Sequence, residues 1–293
     1  MSVPRLVRRA TAAAVVLAAV VARTEARGQD AAGSPNARAL AERVARAGDG
    51  VVRFRYAVRD GVCGDGARGI TIRGADGTAR YGSTGYSGDD RWGAPPCEPG
   101  PARVALAVRG GVAGAVRLAV GGESDHPGEG GRAVDLGVVP AAAAAAYLLD
   151  LAARDDAPSP NRLLLGAVVA DSSVVWPGLL GLARDARLPN ATRREATFWA
   201  GRYACDAVTA AARAGRAPAG RADTAGRAVR EQVVFALSQR PGDEREATLL
   251  RVARADRDPA VRCAALFWLG QETGGESAGA RTLALYEDVL RGR

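Results

Sequence analysis

Residues 262–270 read Arg-Cys-Ala-Ala-Leu-Phe-Trp-Leu-Gly, and two earlier stretches repeat this pattern: Arg-Arg-Glu-Ala-Thr-Phe-Trp-Ala-Gly at 193–201 and Arg-Glu-Gln-Val-Val-Phe-Ala-Leu-Ser at 230–238. The aligned phenylalanines are 37 and 32 residues apart. That spacing is the length of a two-helix unit, which cannot bury its apolar face alone and must stack on its neighbours. The repeat therefore predicts an all-α superhelical solenoid over residues 140–293.

A second helix completes each unit. Leucine pairs followed by Ala-Arg occur at residues 148–154, 179–184 and 249–254, ahead of or between the phenylalanine motifs. We call the leucine-pair helix of a unit its A helix and the phenylalanine helix its B helix. Residues 206–228, rich in Ala, Arg and Gly, make a poor A helix for the middle unit. That unit is therefore expected to be shortened or irregular.

The B helices show the apolar spacing of one buried face. This spacing predicts that the middle copy buries Val229, Val233, Val234 and Leu237, and that the last buries Val261, Ala265, Leu266 and Leu269. The turns before the first and last B helices contain Leu-Pro-Asn and Asp-Pro. Asn190 or Asp258 can therefore cap its helix, and the neighbouring proline suits the first helical turn.

These motifs resemble the HEAT-repeat family, in particular the HEAT-like repeats of phycobiliprotein lyases. The resemblance is carried by Asp-Pro-Ala-Val-Arg at 258–262, the following Ala-Ala-Leu and Leu-Gly, and weaker copies near Arg230 and Arg193. It implies an armadillo-like scaffold in which aspartate and arginine form a structural ladder between adjacent units. The ladder residues would be Arg193, Arg230, Asp258 and Arg262.

Composition argues against one class of protein, those that bind nucleic acids. The 293 residues carry a formal net charge of +8, but all 40 basic residues are arginine and they form no basic run interleaved with aromatics. The arginine content therefore does not indicate a nucleic-acid-binding protein.

The first 28 residues have the layout of a secretory signal peptide. Arginines precede an apolar stretch at 11–22, and a small-residue site, Ala-Arg-Gly, ends at residue 28. This layout predicts export to the periplasm or the extracellular space. An uncleaved segment 11–22 that tethers the protein to a membrane is the alternative.

The region between the signal and the repeats predicts a different structure. Residues 29–49 form a linker with a short helix at 36–47, and residues 50–139 form a small, mostly antiparallel β domain. Alternating apolar residues mark strands near 52–58 and 70–72, a Gly-Gly turn at 110–111 joins the two strands of a hairpin, and residues 134–136 close the sheet.

Four cysteines separate into two pairs. Cys63 and Cys97 lie in Gly/Pro-rich loops of a chain expected to be exported, so a disulfide between them is predicted. Cys205 and Cys263 lie on B helices two units apart, which stacking does not bring together. For this pair the sequence favours two buried free thiols.

Nothing in the sequence indicates catalysis, a cofactor or a bound metal. His126 is the only histidine, no Cys-x-x-Cys is present, and the Gly-x-Gly-x-x-Gly at 64–69 precedes a strand and is interpreted as a turn. The chain is therefore expected not to be an enzyme.

Two groups of side chains could contact a partner. Trp199 and Trp268 occupy equivalent positions, where inter-repeat core packing is favoured over a ligand-facing stripe. The polar candidates follow the aligned phenylalanines by four residues: Arg202, Gln239 and Gln271. The leading hypothesis is an exported adaptor that binds a protein of unknown identity through the solenoid. The alternative is a sensor in which the β domain binds a ligand and the solenoid supports it.

Overall fold

The computed structural model describes residues 35–67, 69–73, 79–82, 97–122, 132–215, 224–240, 242–271 and 279–293. These residues form a mixed structure of nine helices and seven strands. The strands are β1 (Gly50–Tyr56), β2 (Val62–Gly64), β3 (Ile70–Arg73), β4 (Ala79–Gly82), β5 (Ala102–Arg109), β6 (Val112–Val120) and β7 (Ala133–Val138). The helices are α1 (Pro35–Ala47), α2 (Ala141–Ala152), α3 (Pro160–Val169), α4 (Trp176–Arg184), α5 (Asn190–Ala214), α6 (Thr224–Ser238), α7 (Gly242–Ala255), α8 (Pro259–Gly270) and α9 (Ala280–Leu290).

The larger sheet has the strand order β6-β5-β1-β7. β5 and β6 form the predicted hairpin, and Gly110 and Gly111 at its turn both have positive φ, which glycine adopts without a steric cost. Alternate residues of β5 are buried, as expected for a strand with one face on the core. β7 pairs with β1 in the parallel direction, so the sheet is antiparallel except at that edge.

A smaller sheet has the order β2-β3-β4. The predicted disulfide between Cys63 and Cys97 is confirmed, with 5.1 Å between the two Cα atoms. Arg103 of β5 donates hydrogen bonds to the carbonyl oxygens of Gly66, Gly121 and Gly122, beside the predicted turn at 64–69. The disulfide and the guanidinium together hold the irregular loops against the larger sheet.

The strands and the helices share one hydrophobic core. The Tyr56 hydroxyl of β1 donates to the Gly166 carbonyl of α3 at 2.8 Å, and the rings of Phe54 and Tyr147 are in edge contact. A β-bridge between Val58 and Ala170 joins the chain after β1 to the end of α3. Buried side chains continue from the sheet through α2, α3 and α4. The described residues therefore do not divide into a separate β domain and a separate helical domain.

Helices α4 and α5, and again α7 and α8, form two hairpins of an A helix and a B helix. The Asp258 carboxylate caps α8 by accepting from the Ala260 N–H at 3.0 Å, as predicted. The predicted cap at Asn190 is wrong. Asn190 is already inside α5, and its side-chain oxygen accepts from Arg193 instead.

The two hairpins pack B helix against B helix in opposite directions. Gly201 of α5 lies against the Leu266 carbonyl of α8, while Gly270 lies against the Thr197 carbonyl. Gly201 and Gly270 are equivalent in the sequence repeat, and so are Thr197 and Leu266. The two units are therefore related by an approximate two-fold axis rather than by translation.

The spatial order of the B helices differs from their sequence order. α8 packs against both α5 and α6, so the last copy of the motif lies between the first and the middle copies. α6 and α8 run in the same direction, because Arg230 is near Asp258 at one end and Phe235 contacts Trp268 further along. The prediction that the units stack in their sequence order is wrong, because α8 rather than α6 packs against α5. A superhelical solenoid is not confirmed.

This order explains a second disulfide that the sequence did not predict. Cys205 of α5 and Cys263 of α8 are bonded, with 4.7 Å between their Cα atoms. The expectation of free thiols assumed that an intervening unit kept these helices apart. Because α5 and α8 touch directly, the two side chains meet. The two disulfides suggest that the protein is found in an oxidising compartment.

The predicted buried face of α6 is also wrong in part. Val234 is buried and Leu237 is partly buried, but the residues Val229 and Val233 are 65% and 52% exposed. The corresponding face of α8 is buried as predicted, with Val261, Ala265, Leu266 and Leu269 inside.

Several sequence-based expectations concern residues outside the described ranges. The signal peptide at 1–28, the apolar segment at 11–22 and the loop around His126 are among them. Within the described ranges, no helix combines the length and the apolar character needed to cross a membrane.

A glycine substitution tests the close packing of α5 on α8. A Cβ atom at Gly201 would lie 2.9 Å from the hydroxyl of Tyr286, a side chain that is fully buried and hydrogen-bonded and therefore cannot move aside. Gly201→Ala should lower the free energy of unfolding, measured in urea, by about 1–3 kcal/mol. Gly181→Ala is the control, because nothing lies within 4 Å of a Cβ there, and it should be neutral or stabilising by up to about 1 kcal/mol. Equal effects of the two substitutions would contradict the packing.

Removal of the second disulfide tests the direct contact between α5 and α8. The bond joins residues 58 apart, so it restricts the unfolded chain strongly. The double substitution Cys205→Ala with Cys263→Ala should lower the free energy of unfolding by about 2–4 kcal/mol. Peptide mapping of the unreduced wild-type protein is the companion measurement. Alkylation of both thiols without prior reduction would show that the bond is not formed.

Candidate protein-binding surface

The repeated aromatic residues form a row across three helices. The ring centroids of Phe198 on α5 and Phe267 on α8 are 6.4 Å apart, and Phe267 is 5.1 Å from Trp268. Trp268 in turn lies 5.2 Å from Phe235 on α6. We call Phe198, Phe267, Trp268 and Phe235 the aromatic row. Its members are the residues that the sequence repeat identified.

The row leads from the core to the surface. Trp199, which touches Phe198 at 5.0 Å, is 1% exposed and lies in the core, as predicted. Phe198, Phe267 and Trp268 are partly buried. Phe235 is 39% exposed. Core packing thus describes Trp199 well, whereas its equivalent Trp268 belongs to a partly exposed apolar surface.

A glutamate lies beside Trp199, the buried neighbour of the row. Glu195 accepts a hydrogen bond from the Trp199 indole N–H at 2.8 Å. Burial raises the pKa of this carboxyl, and the indole hydrogen bond opposes the shift. The free energy of folding therefore depends on whether Glu195 is ionised.

One rung of the predicted ladder is present between neighbouring helices. The Asp258 carboxylate at the start of α8 accepts from Arg230 of α6 at 3.3 Å and from Arg227 at 2.9 Å. Burial tends to raise the pKa of Asp258, but the hydrogen bonds and charges of Arg227, the Ala260 N–H and Arg230 outweigh it and lower the pKa. Arg227 was missed because it lies one turn before the aligned motif.

The other two ladder arginines bind within their own hairpins. Arg193 donates through Nε to the Ala183 carbonyl of α4 at 3.4 Å, and Arg262 donates through Nε to the Ala253 carbonyl of α7 at 3.0 Å. In both hairpins the arginine thus reaches a carbonyl near the C-terminal end of the A helix, which carries the negative pole of the helix dipole.

The predicted polar surface is divided between two ends of the row. Arg202, Gln239 and Gln271 each follow an aligned phenylalanine by one helical turn. Because α5 runs opposite to α8, Arg202 lies on the other side of the row from Gln271. Gln239 is exposed and donates to the Ser238 hydroxyl at 3.1 Å, at the same end as Gln271.

Comparison of the chain with protein-family models, with curated proteins and with solved structures finds no significant match. The chemistry of the surface therefore carries the functional argument. Within the described part of the chain, no group of three or more His, Cys, Asp or Glu side chains could hold a metal ion. The same part has six exposed large apolar side chains, and three of them, Val229, Val233 and Phe235, lie on α6.

Glu195→Gln tests the buried carboxyl. A carboxyl with a raised folded-state pKa favours folding while it is protonated, and this contribution is lost as the pH rises from the unfolded pKa through the folded pKa. Wild-type protein should therefore lose more free energy of unfolding between about pH 4 and about pH 8 than the Glu195→Gln variant does. Urea denaturation at several pH values measures the difference. Glu244→Gln, which alters an exposed side chain, is the control; parallel pH profiles for wild type and Glu195→Gln would contradict the burial of this group.

Proposed function

We propose that this protein is an exported, non-enzymatic adaptor that binds a protein partner through its helical region. The single observation that carries the proposal is the aromatic row, which continues from the core at Trp199 to the exposed ring of Phe235. Partly exposed aromatic side chains that rest on a packed core are rigid and bury a large apolar area when covered. Residues of this kind dominate the binding energy of protein interfaces.

The surroundings of the row also suit a protein partner. Arg202 and the two glutamines, Gln239 and Gln271, place polar groups at its edges, and an apolar centre with a polar rim is the usual anatomy of an interface. Arginine is among the residues enriched at such sites. No part of the proposal requires a cofactor.

The resemblance to HEAT-like repeats supports the same conclusion. α6 and α8 are parallel B helices joined by the Arg230–Asp258 ion pair, which is the stacking expected of neighbouring repeats. The reversed packing of α5 on α8 departs from that pattern. We therefore restrict the solenoid arrangement to α6–α8 and assign the strands the role of a support.

Export is supported by two independent features. The first 28 residues have the layout of a cleavable signal, and both disulfides need an oxidising compartment to form and persist. The partner would then be a periplasmic or extracellular protein. A membrane contact would require that residues 11–22 remain attached.

Affinity capture from a native envelope extract tests the proposed function. Tagged mature protein, residues 29–293, should capture a stoichiometric partner, and Phe235→Ser should reduce the captured amount at least tenfold, since it removes the exposed end of the row. Val138→Ser is the matched control, because Val138 is 73% exposed on β7, far from the row in sequence. Point substitutions are preferable to deletion of either half, because the two halves share a core.

Two outcomes would overturn the proposed function. The first is the absence of any stoichiometric partner at low and at high salt. The second is a partner whose capture is lost with Val138→Ser and kept with Phe235→Ser. That result would place binding on the sheet, as the sensor hypothesis requires.

A further inference from the structure

Three arginines are exposed where α7 leads into α8. Arg251 and Arg254 lie one helical turn apart near the C-terminal end of α7, and Arg257 lies in the connection to α8. We call these three residues the arginine cluster. Within the described part of the chain, none of their guanidinium groups donates a hydrogen bond or forms an ion pair. The arginine cluster is therefore a group of surface cations without an anionic partner there.

The carboxylates of this connection do not neutralise the arginine cluster. Residues 251–257 contain three arginines and one carboxylate, Asp256, so they carry a net charge of +2. The Asp256 carboxylate accepts a hydrogen bond from the Asp258 N–H at 2.8 Å. Asp258 itself caps α8 and forms ion pairs with two arginines of α6. The positive charge of the cluster thus remains in excess.

The equivalent arginine of the first hairpin has a carboxylate partner. The sequence repeat aligns Arg254 with Arg184 at the end of α4. The Arg184 guanidinium donates to the Glu287 carboxylate of α9 at 2.6 Å. A guanidinium at this position of the repeat is therefore within reach of a carboxylate that another helix supplies. Arg254 occupies the same position and lacks that carboxylate within the described ranges.

The remaining positions of the two hairpins differ in the same direction. Arg187, which aligns with Arg257, forms an ion pair with Asp185 at 2.7 Å. Ala255 replaces this aspartate in the second hairpin, and an additional arginine, residue 251, replaces Gly181. One hairpin end is thus locally neutralised and the other is cationic, although both belong to the same repeat. Because the cluster is exposed, the packing of α7 on α8 does not require its charge.

The chemistry of the arginine cluster favours carboxylates as ligands. A guanidinium is a planar fork of donors that matches the two oxygens of a carboxylate. Successive arginines of the cluster are three residues apart, which is about 4.5 Å along a helix axis. Alternate side chains of an extended segment are about 7 Å apart, a distance that long arginine side chains span. Phosphate and sulfate offer similar oxygens, but the equivalent Arg184 binds a glutamate.

We propose that the arginine cluster binds an acidic segment of the partner protein, whose glutamate or aspartate carboxylates pair with Arg251, Arg254 and Arg257. This inference rests on the proposed adaptor function and names the charge of its partner. The cluster precedes α8, whereas Trp268 of the aromatic row lies near the other end of that helix. The acidic segment is therefore a second contact beside the row. Opposite charges of this kind raise association rates and make binding depend on salt.

The test measures the binding of two fluorescent peptides to the mature chain, residues 29–293, by anisotropy. The probe has alternating Glu and Ser, blocked termini and about ten residues, which in extended form cross the cluster. Its control has Gln in place of every Glu. The glutamate peptide should bind with a Kd below about 1 mM. Raising NaCl from about 50 mM to about 500 mM should weaken this binding at least tenfold, and the glutamine peptide should not bind.

Matched charge variants identify the site. Arg254→Glu with Arg257→Glu should weaken binding of the glutamate peptide at least tenfold, because it places like charges against the peptide. Arg254→Gln with Arg257→Gln, which adds no acidic group to the end of α7, should weaken it by about threefold or more. Arg38→Glu with Arg109→Glu is the control, because both residues are exposed, on α1 and β5, and the net charge changes equally. Its affinity should stay within about twofold of wild type.

Three results would overturn the proposal. The first is no binding of the glutamate peptide up to about 1 mM at the lower salt. The second is equal weakening in the cluster variant and the control variant, since the attraction would then belong to the net charge of the whole protein. The third is binding of a sulfated polysaccharide through the cluster, together with a glutamate peptide that binds no better than the glutamine peptide. A polysaccharide would then be the ligand.

The outcome is separable from that of the proposed function. Capture that depends on Phe235 but not on Arg254 and Arg257, together with no peptide binding, would leave the adaptor in place and remove the acidic segment from its partner. Peptide binding that depends on the cluster, without a captured partner, would retain the site and remove the adaptor as described. Thermal unfolding of each variant controls for loss of the fold.

Discussion

The hydroxyl group of Tyr286 is the contact around which the helical region is arranged. It donates to the Leu266 carbonyl at 2.7 Å and lies against both Gly201 and Gly270, the equivalent glycines of the two hairpins. Only residues without a side chain allow α5 and α8 to approach the tyrosine so closely. This approach sets the two-fold relation of the hairpins, and the Cys205–Cys263 disulfide joins the same pair of helices covalently.

The aromatic row is a consequence of that packing. Where equivalent helices meet around a two-fold axis, equivalent residues meet near it, and Phe198 therefore contacts Phe267. Trp268 extends the line towards α6, where Phe235 has no counterpart beyond it among the described residues. A chain of ring contacts built from a repeat thus ends at the surface. For this reason the row is buried at one end and exposed at the other.

α6 is the B helix for which the described residues include no A helix directly before it. Its neighbours cover one side, and the ion pairs with Asp258 fix its direction relative to α8. Val229 and Val233 of α6 align with buried residues of α8, yet both are exposed.

The residue pattern alone determined the positions of α1, α2, α4–α8 and most strands, the Gly-Gly hairpin, the cap at Asp258 and the Cys63–Cys97 bond, because spacing, turn chemistry and capping are local properties. It did not predict α3, α9, β2 or β4. It also identified the residues of the aromatic row. Only the tertiary structure decided the order of the B helices, the Cys205–Cys263 bond, the common core of sheet and helices and the exposure of Val229 and Val233. A repeat has the same sequence signature whether its units are related by translation or by a two-fold axis. The choice depends on contacts between distant residues, here two glycines and a tyrosine from α9 that lies outside the repeated motif.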